Sequence, residues 1–131
     1  MIHSMKKILL FAPFLLVLIG CAGIDITVFR TEKATVDLAK GSVHAWNQYY
    51  PLATNGASPE AIAKLTKQQN EIYDASRKLG AALQVTEGLR QAYATNSVAT
   101  NQVALQAAVQ ALNSQSAGVI ALVKTYLNKN N

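Results

Sequence analysis

Tyr50-Pro51-Leu52-Ala53-Thr54-Asn55-Gly56-Ala57-Ser58-Pro59-Glu60-Ala61-Ile62-Ala63-Lys64-Leu65 reads as a helix stop followed by a helix start. Pro51 disfavours helix at Tyr50, and Thr54-Asn55-Gly56 is turn composition. Ser58 suits the N-cap and Pro59 the first helical position. Glu60 then places a negative charge at the positive end of the helix dipole. A loop this short makes the two helices antiparallel neighbours.

Working outward, Val36, Ala39, Val43, Trp46 and Tyr50 recur at alternating spacings of three and four, one apolar stripe. They predict a first helix starting between Asp25 and Thr31 and ending at Tyr50. Gly41 weakens it by about 1 kcal/mol. Ile26-Thr27-Val28-Phe29 fits either a short extended entry or the first helical turn. The second helix carries Ala61, Leu65, Ile72, Ala75, Leu79, Ala82 and Leu83 on one face and runs to about Tyr93, with Gly80 and Gly88 as candidate bends. Ala94-Thr95-Asn96-Ser97 is the second turn. A third helix starts at Ser97 or Val98 and runs to about Leu127 on the stripe Val98, Leu105, Val109, Leu112, Val119, Val123 and Leu127. The last four residues, Asn128 to Asn131, read as a frayed polar end.

No stretch keeps the period-two alternation of a half-buried strand. The expected fold is all-α, an antiparallel three-helix bundle over residues 31–131, with residues 21–30 as a short tether. It would be a rod on the order of 30–50 Å long. Up-down-up order brings Trp46 and Tyr50 together with Ile62, Leu65, Val123 and Tyr126 at one end.

The first twenty residues follow a different logic. Lys6 and Lys7 precede a twelve-residue apolar run, Ile8 to Ile19, interrupted by Pro13. A membrane-spanning helix needs roughly 20 apolar residues, so this run is short for a span. Charge, a short apolar run and small residues, in that order, mark a processed signal. Met5-Lys6-Lys7 also reads as a start. Leu18-Ile19-Gly20-Cys21 then resembles the lipobox of bacterial lipoprotein precursors. The resemblance implies cleavage between Gly20 and Cys21 and fatty acylation of Cys21, palmitate being the usual kind of chain. Each buried methylene contributes about 0.8 kcal/mol, so two or more chains anchor stably where one binds reversibly. Ala22 after the cysteine implies the outer membrane, facing the periplasm, as in enteric-type lipoproteins.

A chain starting at Cys21 has 111 residues, enough for one small domain. Cys21 is its only cysteine, so neither an internal disulfide nor a cysteine zinc site is expected. Without Lys6 and Lys7, ten Lys/Arg stand against seven Asp/Glu, a net charge of +3. Nucleic-acid binding calls for basic residues clustered on one face. Here Glu60/Lys64, Lys67/Glu71 and Asp74/Lys78 alternate at the spacing of solvated helix ion pairs, and no nucleic-acid partner is expected.

Chemistry-bearing constellations are sparse. His44 has Lys40 and Asp37 on its own helical face and no histidine partner at metal-ligand spacing, which reads as a surface histidine. Gly80 and Gly88 are isolated and form no phosphate loop. The expectation is a chain without enzymatic activity, metal or cofactor. Trp46, Tyr49 and Tyr50 form the densest aromatic group. At helical spacing they read mainly as packing, the alternative being a platform for a glycan or small ligand. From Gln91 to Val123 no residue is charged. Thirteen of these 33 residues carry polar side chains, which argues against a membrane span. Heptad-like spacing with Gln102 and Ser116 on the stripe, and Gln106 and Gln110 beside it, is compatible with a homo-oligomer or coiled coil.

The predicted function is a small membrane-anchored helical lipoprotein, a non-enzymatic interaction or structural module of the bacterial envelope. Its Ala/Gln-rich body also looks like small lipoproteins of phage and prophage lysis or exclusion regions. It departs from the outer-membrane spanin subunits, which are Pro-rich. It also departs from the peptidoglycan-linked lipoprotein, which ends in lysine, because here two asparagines follow Lys129.

Overall fold

The computed structural model describes residues 24–131, with side chains from residue 27. Three helices follow one another: α1 (Ile24–Thr54), α2 (Pro59–Thr95) and α3 (Ala99–Asn130), each in contact with the other two. At 1.5 Å per residue they are ~45–55 Å long. The antiparallel bundle expected from the sequence is present.

The first turn forms as its residues dictate. Gly56 takes φ 71°, the left-handed region that costs a glycine nothing, and the Ala57 N–H donates to the Thr54 carbonyl at 3.2 Å. The Ser58 side chain accepts from the Ala61 N–H at 3.2 Å, with Pro59 opening the helix behind it. At the second turn the Asn96 N–H closes α2 on the Ala92 carbonyl at 2.9 Å, and the Ser97 hydroxyl donates to the Tyr93 carbonyl at 3.0 Å. Val98, an expected stripe residue, is instead the exposed N-cap of α3.

The buried positions repeat every seven residues. In α2 they include Leu65, Ile72, Leu79, Thr86 and Tyr93; in α3, Leu105, Leu112 and Val119, interleaved with Val109, Ser116 and Val123. In α1 they are Glu32, Ala39 and Trp46, with Val28 one turn earlier. A 3.5-residue period keeps one narrow seam facing the partners and is the signature of knobs-into-holes packing. It explains why Val36, Val43, Tyr50, Ala61, Ala75, Ala82, Leu83 and Leu127 flank the seam, half-buried.

Four expectations are corrected. Residues 24–30 are not a tether, for α1 already begins at Ile24 and Val28 is buried against Tyr93, Leu105 and Val109. Pro51 does not stop α1 at Tyr50, and the helix runs on to Thr54. A proline there forfeits one backbone hydrogen bond and crowds the carbonyl four residues earlier, a cost that the contacts around it offset. There the Thr54 hydroxyl donates to the Tyr50 carbonyl at 2.9 Å, while the Tyr50 and Thr66 hydroxyls share a 3.0 Å bond with α2. Gly80 and Gly88 do not break α2, because packed heptads on both sides outweigh their local cost. Finally, the ion pairs are not the expected ones. Asp74 pairs with Arg77, and Glu71 accepts from the Tyr126 hydroxyl of α3.

Candidate functional site

The three sequence-derived candidates fall in different places. Cys21 and Gly20 lie outside the described residues. Trp46, Tyr49 and Tyr50 do come together, at the end of the bundle formed by the C-terminal half of α1, the start of α2 and the end of α3. Trp46 is fully buried, within a cluster of Leu65, Ile72 and Val123. Tyr49, Tyr50 and Tyr126 surround its indole, with ring centroids 5.5, 6.3 and 6.3 Å away and tilted planes. Such tilted contacts suit aromatic quadrupoles, and they leave the indole no face open to a sugar ring. Tyr73 donates to Asn47 Oδ1 at 2.9 Å, tying α2 back to α1. Of the three candidate aromatics, Tyr49 lines the open cavity of about 530 Å³ at this end, together with Leu52, Lys64 and Lys129. The trio is chiefly packing, and its one buried donor, Trp46 Nε1, has no hydrogen-bond partner.

On α3, Gln102 and Gln106 are half-buried and Gln110 is exposed, so the glutamines do not share one free face. Ser116 is used inside the bundle. Its hydroxyl donates to the Thr35 carbonyl of α1 at 2.9 Å, and the Thr35 hydroxyl donates to Asn113 Oδ1 at 3.0 Å. His44 is exposed, on the rim of an apolar groove of about 390 Å³ between α1 and α2, lined by Val36, Val43, Leu79 and Leu83.

A fourth constellation escaped the sequence reading. Glu32 is 2% exposed, at a heptad position shared with Ala39 and Trp46. A carboxyl is almost never buried so completely unless it has a partner. Glu32 hydrogen-bonds Glu87 on α2, and Arg90 Nε donates to Glu87 Oε2 at 2.9 Å. The bond from Glu32 holds Glu87 below its ordinary value of 4.5, and Arg90 adds to this against the opposing effect of partial burial. The Arg90 guanidinium lies over the Phe29 ring, 5.5 Å from its centroid. Stepping back from Trp46 by sevens reaches Glu32; the expected stripe began at Val36, which hid the carboxyl.

Among the described residues, no group of three or more His, Cys, Asp or Glu stands close enough to hold a metal ion, and no helix is long and apolar enough to cross a membrane. No family model matches the chain, and no curated protein or solved structure matches it.

Proposed function

We propose that the chain is a lipid-tethered lipoprotein of the bacterial envelope whose helical bundle serves as an interaction or structural module rather than an enzyme. The observation that carries this reading is the order Lys6-Lys7, Ile8 to Ile19, Leu18-Ile19-Gly20-Cys21, ending three residues ahead of the first helix at Ile24. The fold supports it by leaving so short a connection. An acylated Cys21 would hold the start of α1 close to the lipid surface and direct the aromatic end of the rod ~30 Å away from it, by the rise of an α-helix. The uncharged outer side of α3 is the surface this reading assigns to contact with further copies or with an envelope partner. The compositional likeness to phage and prophage lipoproteins belongs to the same proposal.

The test is metabolic labelling of the full chain with a fatty acid, followed by fractionation. The expected outcome is a labelled, membrane-associated product whose mass corresponds to a start at Cys21, with label and membrane association both lost in Cys21→Ser. An unacylated product that still begins at an initiator methionine would overturn the proposal. Crosslinking in intact cells then reads the contacts of α3.

A further inference from the structure

α1 and α2 are the most loosely joined pair in the bundle, and the groove between them has a chemistry of its own. Small residues keep it open. Ala39 of α1 and Ser76 and Gly80 of α2 stand where longer side chains would close the seam, and a Cβ added at Gly80 meets nothing within 4 Å. Ala39 and Leu79 form the floor, backed by Leu112 and Val119 of α3. Val36, Val43 and Leu83 form the walls and are only half-buried.

The two ends of the groove differ. The bond from Tyr73 to Asn47 sets the register of the antiparallel pair, which puts Val36 level with Leu83 and His44 level with Ser76. The Val36 end is therefore apolar on both sides. Toward the other end Lys40, His44 and Asn47 line one rim, at spacings of four and three that share a helical face. All three can donate: an ammonium, an imidazole N–H and the amide N–H groups of Asn47, whose Oδ1 already accepts from Tyr73. The Ser76 hydroxyl is turned away, donating to the Ile72 carbonyl at 2.9 Å. No acidic side chain lines the groove, and Asp37, one turn before Lys40, lies outside it. Among the described residues Lys40 has no ion-pair partner.

A narrow apolar slot with donors toward one end is complementary to a single-tailed amphiphile with an anionic head. We propose that this groove binds a free medium-chain fatty acid, its carboxylate held by Lys40 and His44 and its tail laid along Ala39 and Leu79. The eight residues from Val36 to His44 span ~12 Å. About ten carbons cover that distance, at ~1.25 Å advance per tetrahedral bond. Charge selects this occupant over two others. A second copy docking two-fold by the same face would bring its own Lys40 and His44 against these. The chains of an acylated Cys21 carry no free carboxylate for Lys40 to meet. The site itself does not depend on whether Cys21 is acylated.

Photocrosslinking tests the site, with the full chain in lipid nanodiscs and a diazirine-bearing decanoate as probe. Adducts should fall on residues 36–47 and 76–83 and be displaced by decanoate. Across a series of competing carboxylates, affinity should rise about two- to fourfold per methylene from six to ten carbons and level off beyond twelve. Decyltrimethylammonium, equal in length and opposite in charge, should compete at least about tenfold more weakly, and Lys40→Glu should weaken labelling by a similar factor. Gly80→Leu fills the open space without straining the helix and should abolish labelling while far-UV circular dichroism stays unchanged. Cys21→Ser should label as the parent does, so failure here and failure of the lipid anchor are read separately. Adducts elsewhere on the chain, equal competition by the cation, or affinity that keeps climbing with tail length as bilayer partition does would overturn the site. So would labelling that appears only in Cys21→Ser, which would make the chain's own lipid the occupant. A crosslink between the Lys40 residues of two copies that decanoate does not displace would overturn it in favour of a second copy.

Discussion

The two ends of the bundle use the same heptad frame and fill it with opposite chemistry. At the aromatic end the seam positions are Trp46, Leu65, Ile72 and Val123, with Tyr49, Tyr50, Tyr73 and Tyr126 packed around them. At the other end the same columns deliver Glu32, Thr86 and Tyr93. Thr86 is satisfied locally, its hydroxyl donating to the Ala82 carbonyl at 2.8 Å. Glu32 instead meets Glu87 of α2. One end is held by apolar area, which is insensitive to pH and tolerant of small shifts. The other adds directional polar contacts, Arg90 to Glu87 and Arg90 over the Phe29 ring, to a smaller apolar cluster.

The largest effect that can break this contrast is at Trp46. Its removal in Trp46→Ala should cost about 3–5 kcal/mol, the usual penalty for emptying a large aromatic site in a packed core. Val28→Ala, at the polar end, removes far less volume and should cost only about 1–2 kcal/mol. Urea unfolding followed by far-UV circular dichroism measures both. Trp46→Phe adds a finer test. It shrinks the side chain but also removes the buried Nε1 donor that has no partner. An unsatisfied buried donor costs about 1–3 kcal/mol, so Trp46→Phe should lose much less than Trp46→Ala. Equal losses in the two would mean that the ring's width, rather than its burial, holds this end together.

How much of this contrast was legible beforehand depends on the kind of residue. The turn at Gly56 and the cap at Ser58 act through their own backbone, so the sequence alone places them. The aromatic end was also legible, because Trp46, Leu65 and Val123 are apolar at helical spacing and have no other place to go. Pro51 misled because its local preference against helix is weaker than the packing of Tyr50 on α2. Glu32 was missed because a carboxyl counts as surface in any hydropathy pattern. Only the seven-residue step from Trp46 through Ala39 exposes it, and its burial depends on Glu87, 55 positions later. Ser116 and Thr35 were hidden in the same way, since a polar residue on an apolar stripe is equally compatible with an internal bond and with a contact between copies.

The middle of the rod offers the next test. Ser116→Ala removes the donor to the Thr35 carbonyl, one net hydrogen bond, and should cost about 1 kcal/mol. Its diagnostic value lies in where the loss is felt. If Thr35 is the point at which α1 is joined to α3, losing this bond loosens α1 on either side of it. Exchange of the amides between Val36 and Val43, relative to the core amides of α2, should then be faster in Ser116→Ala than in wild type. A uniform rise along all three helices would instead make the bundle one cooperative block.

The smallest effects are at the exposed glycines, and they compare the two ends most cleanly. An added Cβ at Gly88, beside the carboxyl cluster, or at Gly118, on the α3 turn next to Val119, meets nothing within 4 Å. Both lie inside helices at right-handed φ, so alanine gains about 0.5–1 kcal/mol by limiting the unfolded chain and favouring helix, without new contacts. Gly88→Ala and Gly118→Ala should therefore raise the urea midpoint by the same amount wherever the chain unfolds in one step. The two gains should match, and a smaller gain at Gly88 would mean that the polar end frays before the main transition.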